Sequence, residues 1–127
     1  MKSESRRLLS KAERAIHAAE ALVQADESDF AAGRAYYAML YAAEALLFER
    51  GLHFRKHSAV HSALGEQLVR PGLLDARFHR WLLDAFDVRI QADYGVDALI
   101  TADEATAVIA QAREFVLEAA RIIGQAS

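Results

Sequence analysis

The stretch Gly33–Gly51, GRAYYAMLYAAEALLFERG, decides the fold, because as a helix it is apolar almost all the way round. At 3.6 residues per turn, Ala35, Met39, Ala42 and Leu46 line one side. Phe30, Tyr37, Tyr41 and Phe48 line another, together with Arg34 and Glu44. In a small protein, a helix with two apolar faces is either the central member of a bundle or buries one face against a second subunit. The second alternative predicts a homodimer. The run from Ala35 to Phe48 is interrupted by Glu44 and falls short of the roughly 18 residues of a membrane-spanning helix, so it reads as buried in protein and not in a membrane.

Outward from this segment, Ala, Leu, Glu, Arg and Gln dominate, proline occurs once, and no alternating strand pattern competes. A first helix is expected from about Ser3 to Ala25, with Leu8, Leu9, Ala12, Ile16, Ala19, Leu22 and Val23 as its apolar stripe. Asp26 or Ser28 offers an N-cap for the second helix, and Gly51 ends it. A short helix from about Ser58 to Val69 follows the polar link Leu52–His57 and stops before Arg70-Pro71-Gly72. The next helix covers about Leu73 to Tyr94, with Trp81, Leu82, Ala85, Phe86 and Val88 facing inward and Gly95 at its end. Thr101 and Glu104 have the spacing of a capping box, and the last helix carries Ala107, Val108, Phe115, Leu117, Ile122 and Ile123 as apolar residues. The expected architecture is all-α: one domain over residues 1–127, folded as an antiparallel up-and-down four-helix bundle with one additional short helix, and dimerising.

The composition narrows the chemistry. A chain of 127 residues, 54% apolar and 26% charged, can bury a core without disulfides or structural metal. Cysteine is absent, which removes disulfides, thiol nucleophiles and cysteine-ligated zinc. The opening MKSESRRLLSKAER lacks the continuous apolar run of a signal peptide, so a cytoplasmic location is expected. No phosphate loop, nucleophile elbow or dinucleotide fingerprint occurs. His53, His57 and His61 recur every four residues, but Gly51 and the polar link break the helix they would share. They read as helix-start and surface histidines, and neither metal nor cofactor is expected. The net charge of −3 does not favour nucleic acid, so any RNA contact must come from a local patch.

Two clusters carry candidate chemistry. Arg34, Tyr37, Tyr41 and Glu44 share a face of the second helix, either as a buried polar cluster in which Arg34 and Glu44 partner the tyrosine hydroxyls, or as the wall of a pocket shared with Arg89. The second cluster lies in Phe86–Gly95, FDVRIQADYG, where Arg89 and Asp93 are four residues apart and Tyr94 follows. Asp93 in a last turn opposes the helix dipole, and Arg before Asp is the weaker order for a helical ion pair. Broken local preferences of this kind gather at functional sites.

GRAYYAMLYAAEALLFERG, KHSAVHSALGEQLV and LLDAFDVRIQADYG together resemble the HEPN family (higher eukaryotes and prokaryotes nucleotide-binding) in its small stand-alone prokaryotic branch. The resemblance implies a dimerising helical bundle, often encoded beside a minimal nucleotidyltransferase, the pair behaving as toxin and antitoxin. Family ribonucleases carry Arg, four to six residues, then His, and two copies form one metal-independent site. Arg89 matches the arginine, and Tyr94 stands where a histidine would be expected. The resemblance therefore implies an RNA- or nucleotide-directed site of Arg89, Asp93 and Tyr94, with Arg34, Tyr37, Tyr41 and His57 as pocket residues. Three roles for Tyr94 stay open, as general acid toward the leaving 5′-oxygen with Asp93 as base, as a stacking surface for RNA, or as a target for adenylylation by the nucleotidyltransferase, the last being the one the resemblance supports. A non-catalytic adaptor that binds nucleotide or partner in the same cleft is the alternative.

Overall fold

Good helix formers fill the chain between its capping and breaking residues, and a computed structural model that describes residues 1–95 and 100–126 shows the helices this composition favours. They are α1 (Ser3–Gln24), α2 (Ser28–Glu49), α3 (His57–Leu64), α4 (Ala76–Tyr94) and α5 (Ala102–Ala126). One π-helical turn, Gly65–Val69, continues α3.

Packing alternates in direction. The start of α1 is tied to the end of α2, where Glu49 accepts from the Ser5 hydroxyl at 2.7 Å and the Lys2 backbone N–H at 3.2 Å. The Tyr36 ring of α2 meets Phe86 of α4 at 5.5 Å, while Gly33 lies against the Arg89 side chain, so these helices are also antiparallel. Phe78 of α4 packs edge-on against Phe115 of α5, and Glu20 of α1 pairs with Arg113 of α5 at 3.0 Å. The result is the expected up-and-down helical bundle.

Within it α2 is central. It packs against α1, α3, α4 and α5, and 12 of its 22 residues are buried. Small side chains let the neighbours of α2 come close: Ala31, Ala32, Ala35, Ala38, Ala42, Ala43 and Ala45 on α2, and Ala105, Ala112 and Ala119 on α5, have no exposed surface. The face of Ala35, Met39, Ala42 and Leu46 is thus satisfied inside one chain, whereas the face of Phe30, Tyr37, Tyr41 and Phe48 is covered only in part. Its one uncovered stripe is Phe30, Arg34, Tyr37, Tyr41, Glu44 and Phe48.

Several helix ends differ from expectation. Neither Asp26 nor Ser28 caps α2. Asp26 adopts φ 61° and closes α1, with the Glu27 N–H donating to the Leu22 carbonyl at 2.8 Å; Glu27 precedes α2 without a side-chain cap. Gly51 takes φ 79° and ends α2 as expected, the Leu52 N–H reaching back to the Leu47 carbonyl. α4 begins at Ala76, later than Leu73, because Asp75 is its N-cap and accepts from the Arg77 N–H at 2.9 Å. At Thr101 the hydroxyl accepts from the Glu104 N–H and donates to the Glu104 carboxylate. The apolar register of α5 is also different: Ala105, Ile109, Ala112, Phe115, Val116, Ala119 and Ile123 are buried, while Ala107 and Leu117 face outward. Among the described residues no helix is long and apolar enough to cross a membrane.

This register predicts opposite outcomes for two residues only two positions apart. Phe115→Ala removes a fully buried ring and should cost about 3–5 kcal/mol. Leu117→Ala, at 66% exposure, should stay within about 0.5 kcal/mol of the parent. Urea midpoints decide; equal losses would mean that the register of α5 is wrong.

Candidate functional site

The antiparallel packing of α2 and α4 buries Tyr36 completely, and a buried hydroxyl needs partners. The short helix α3 supplies them one turn apart: the Tyr36 hydroxyl lies 2.8 Å from His61 Nε2 and 3.3 Å from His57 Nδ1. Phe86 covers both the Tyr36 and His61 rings. His79 of α4 donates from Nε2 to the His61 carbonyl at 2.8 Å. That approach depends on Gly65, because a Cβ there would stand 3.1 Å from the His79 ring.

Burial sets the protonation of this network. It raises the Tyr36 phenol well above its ordinary range, against an opposing effect from Arg89. It holds the His61 imidazole down to about 4, assisted by repulsion from His57 and His79. His57 is also lowered, first by burial and then by the Arg89 charge. Both histidines are therefore neutral at pH 7.

Arg89 reaches the same rings from α4. Its guanidinium carbon lies 5.1 Å from the Tyr37 ring centre and 5.9 Å from that of Tyr36, and its Nε pairs with Asp93 at 3.1 Å. The Arg89 side chain is mostly covered and the Asp93 side chain more open, at 24% and 42% exposure, so the pair straddles the edge of the site. Tyr37 joins the elements: Arg34 sits over its ring at 4.5 Å, His57 meets it edge-on at 5.7 Å, and Tyr41 follows at 6.0 Å.

Arg89, Asp93, Tyr37 and His57 thus converge, with Arg34 and Tyr41 at the margin. Tyr94 does not join them. It is 80% exposed, and its side chain makes no hydrogen bond or ring contact among the described residues. The buried polar cluster expected on α2 is not formed: Arg34 is exposed, Lys11 lies over the Tyr41 ring at 4.7 Å, and neither Arg34 nor Glu44 hydrogen-bonds a tyrosine hydroxyl. Glu44 sits at the far end of the stripe, where burial raises its carboxyl against the pull of His53 and Lys11. His61 is buried, contrary to its reading as a surface histidine. No group of three His, Cys, Asp or Glu among the described residues could hold a metal ion. Tyr36 and His79 were not indicated by spacing, and the four-residue recurrence that flagged His61 did not link it to Tyr36; the one available signal was that the inward residue of Tyr36-Tyr37 needs a hydroxyl partner.

The HEPN domain family matches residues 5–123. A UPF0332 protein of Gloeobacter violaceus is 34% identical over 126 residues, covering 98% of this chain and all of the relative. Two proteins of Methanocaldococcus jannaschii, each named as a candidate toxin, are also similar. One is 33% identical over 82% of this chain and 71% of its own length. The other is 32% identical over 91% and 86%.

Because His61 titrates lower when folded than the ordinary 6.5, the unfolded chain binds more protons between those values. Its stabilising contribution is full above about pH 6.5 and is lost as pH falls toward 4. The slope from this group approaches about 1.4 kcal/mol per pH unit. His61→Gln should flatten the fall in unfolding free energy between pH 6.5 and 5, measured by urea titration. A mutant with the parent's slope would show that His61 does not titrate this way.

Proposed function

The chain belongs to the HEPN family, and from that premise we propose that it is a toxin-like, metal-independent endoribonuclease whose site is built on Arg89. The observation that carries this reading is that Arg89 and a neutral imidazole, His57, lie against the same two tyrosine rings. RNA cleavage without metal needs a cation at the scissile phosphate and a base for the ribose 2′-hydroxyl. Arg89 supplies the first, oriented by Asp93. His57 supplies the second in place of the histidine that Tyr94 replaces. With the His57 Nδ1–H donating to the Tyr36 oxygen and the Tyr36 O–H donating to His61 Nε2, the hydroxyl both donates and accepts and His57 Nε2 keeps its lone pair. The attack of the 2′-oxygen then leaves a cyclic phosphate and frees the 5′-oxygen.

Tyr94 serves this reading in three ways that its exposure permits. It donates a proton to the leaving oxygen, stacks on a base, or presents its hydroxyl to a cytoplasmic nucleotidyltransferase antitoxin for adenylylation. A homodimer would form through α4, where Leu83, Ile90 and Tyr94 make an outward stripe at helical spacing, and would bring two Arg89 sites together. A second reading, favoured by the unengaged Tyr94, is an adaptor that binds nucleotide or the partner enzyme in the same cleft without cleaving.

The test is cleavage of RNA by the purified protein with chelator present. Arg89→Ala and His57→Gln should each lower the rate roughly a hundredfold or more, leaving cyclic phosphate ends in the parent's products. Tyr94→Phe separates stacking, which survives, from proton donation or modification, which do not. Equal inertness of parent and variants, with nucleotide binding intact, would move the adaptor reading ahead.

A further inference from the structure

Beside the site, α1 and α2 leave a groove of about 210 Å³ lined by Lys11, Arg14, Ala15, Ala18, Arg34 and Tyr41. Its cations differ from four others in the chain. Arg7, Arg89, Arg113 and Arg121 each pair with a carboxylate, on Glu4, Asp93, Glu20 and Glu118 respectively. Lys11, Arg14 and Arg34 have no such partner among the described residues, although all three are exposed and near one another. Two of them rest on aromatic faces instead, Lys11 over Tyr41 and Arg34 over Tyr37. A ring holds a cation in place without neutralising it, whereas a carboxylate does both. Lys11 and Arg34 are therefore positioned, and all three cations still lack a paired carboxylate among the described residues.

The row also leads somewhere. Tyr41 and Tyr37 lie 6.0 Å apart, and Tyr37 is the ring that Arg89 and His57 share, so the groove lies next to the site. Alanine at positions 15 and 18 keeps the floor low between the cations. In the other direction Glu44 closes the row, its carboxylate close enough to Lys11 to be influenced by it. A negatively charged ligand can thus extend from Arg89 past Arg34 to Lys11 and Arg14, and no further along α2.

We propose that the groove between α1 and α2 binds the phosphodiester backbone of single-stranded RNA and leads it to Arg89. The proposal rests on the reading of the site as RNA-directed. Separate cations along an open groove suit the phosphates of one strand, and the tyrosine and guanidinium planes offer stacking surfaces to its bases. A duplex is too wide for a groove between two adjacent helices. The local row also explains how a chain of net charge −3 can bind a polyanion.

The test is fluorescence anisotropy with a 2′-O-methyl oligoribonucleotide of roughly 12 nucleotides, a length such grooves accommodate and one that cannot be cleaved by 2′-oxygen attack. Lys11→Gln with Arg14→Gln should weaken binding about tenfold at low salt and make the dependence of log affinity on log salt shallower by about 1.4, for two lost phosphate contacts. Lys11→Arg with Arg14→Lys should keep both, which separates charge from side-chain packing. Neutralised variants that bind with the parent's affinity and salt slope would overturn the proposal, and if they also cleave RNA normally the nuclease reading stands without the groove. Binding lost in the neutralised variants, in a protein that cleaves nothing, would support the groove and remove the nuclease reading. Binding of a polyglutamate peptide but not of the oligoribonucleotide would overturn it in favour of an acidic protein partner.

Discussion

Burial of α2 on three sides is the constraint from which the rest of the structure follows. A helix this rich in alanine gains little from any single side chain, so its stability must come from neighbours that approach closely. α5 can do so because alanine recurs at positions 105, 112 and 119, every second turn. Once α1, α4 and α5 have closed around α2, one stripe of it remains, and that stripe holds Arg34, Tyr37 and Tyr41. The functional surface is the side of the central helix that packing leaves open.

The same burial creates the site's chemistry. Tyr36 points into the core one residue before Tyr37 points out, so adjacent tyrosines face different surroundings. The inward hydroxyl would be costly without a partner, and α3 is held with His57 and His61 against it. This arrangement keeps two imidazoles uncharged beside an arginine, a combination that exposed histidines at neutral pH would not guarantee. Fold stability and the protonation state of the site are thus linked through one phenol.

Much of this was legible in the sequence, and the remainder failed for identifiable reasons. Helical periodicity and Gly51 gave the helices, and the four-residue spacing of Arg89 and Asp93 correctly implied their ion pair. The neighbours of α2 stayed open because an all-round apolar helix looks the same whether its own chain or another covers it. Leu73-Leu74 looked helical although Asp75, two residues on, is a better cap. Leu117 stood among the apolar residues expected on α5, whereas the alanines at 105, 112 and 119, which set its register, are too small to stand out. Tyr36 and His61 meet across 25 residues of sequence, a distance at which residue spacing carries no information.

Cation placement also separates the two ends of the molecule's working surface. An arginine held by a carboxylate, such as Arg89 on Asp93, is fixed in direction and partly neutralised, which suits precise contact with one phosphate. A lysine or arginine resting on a tyrosine keeps its full charge and more freedom, which suits contacts that position a strand without reading it. Both kinds meet on Tyr37, where Arg34 and Arg89 share one ring. Loss of that ring would free Arg34 and take one support from Arg89, which Asp93 and Tyr36 still hold, so Tyr37 couples holding the strand to acting on it although it carries no charge itself.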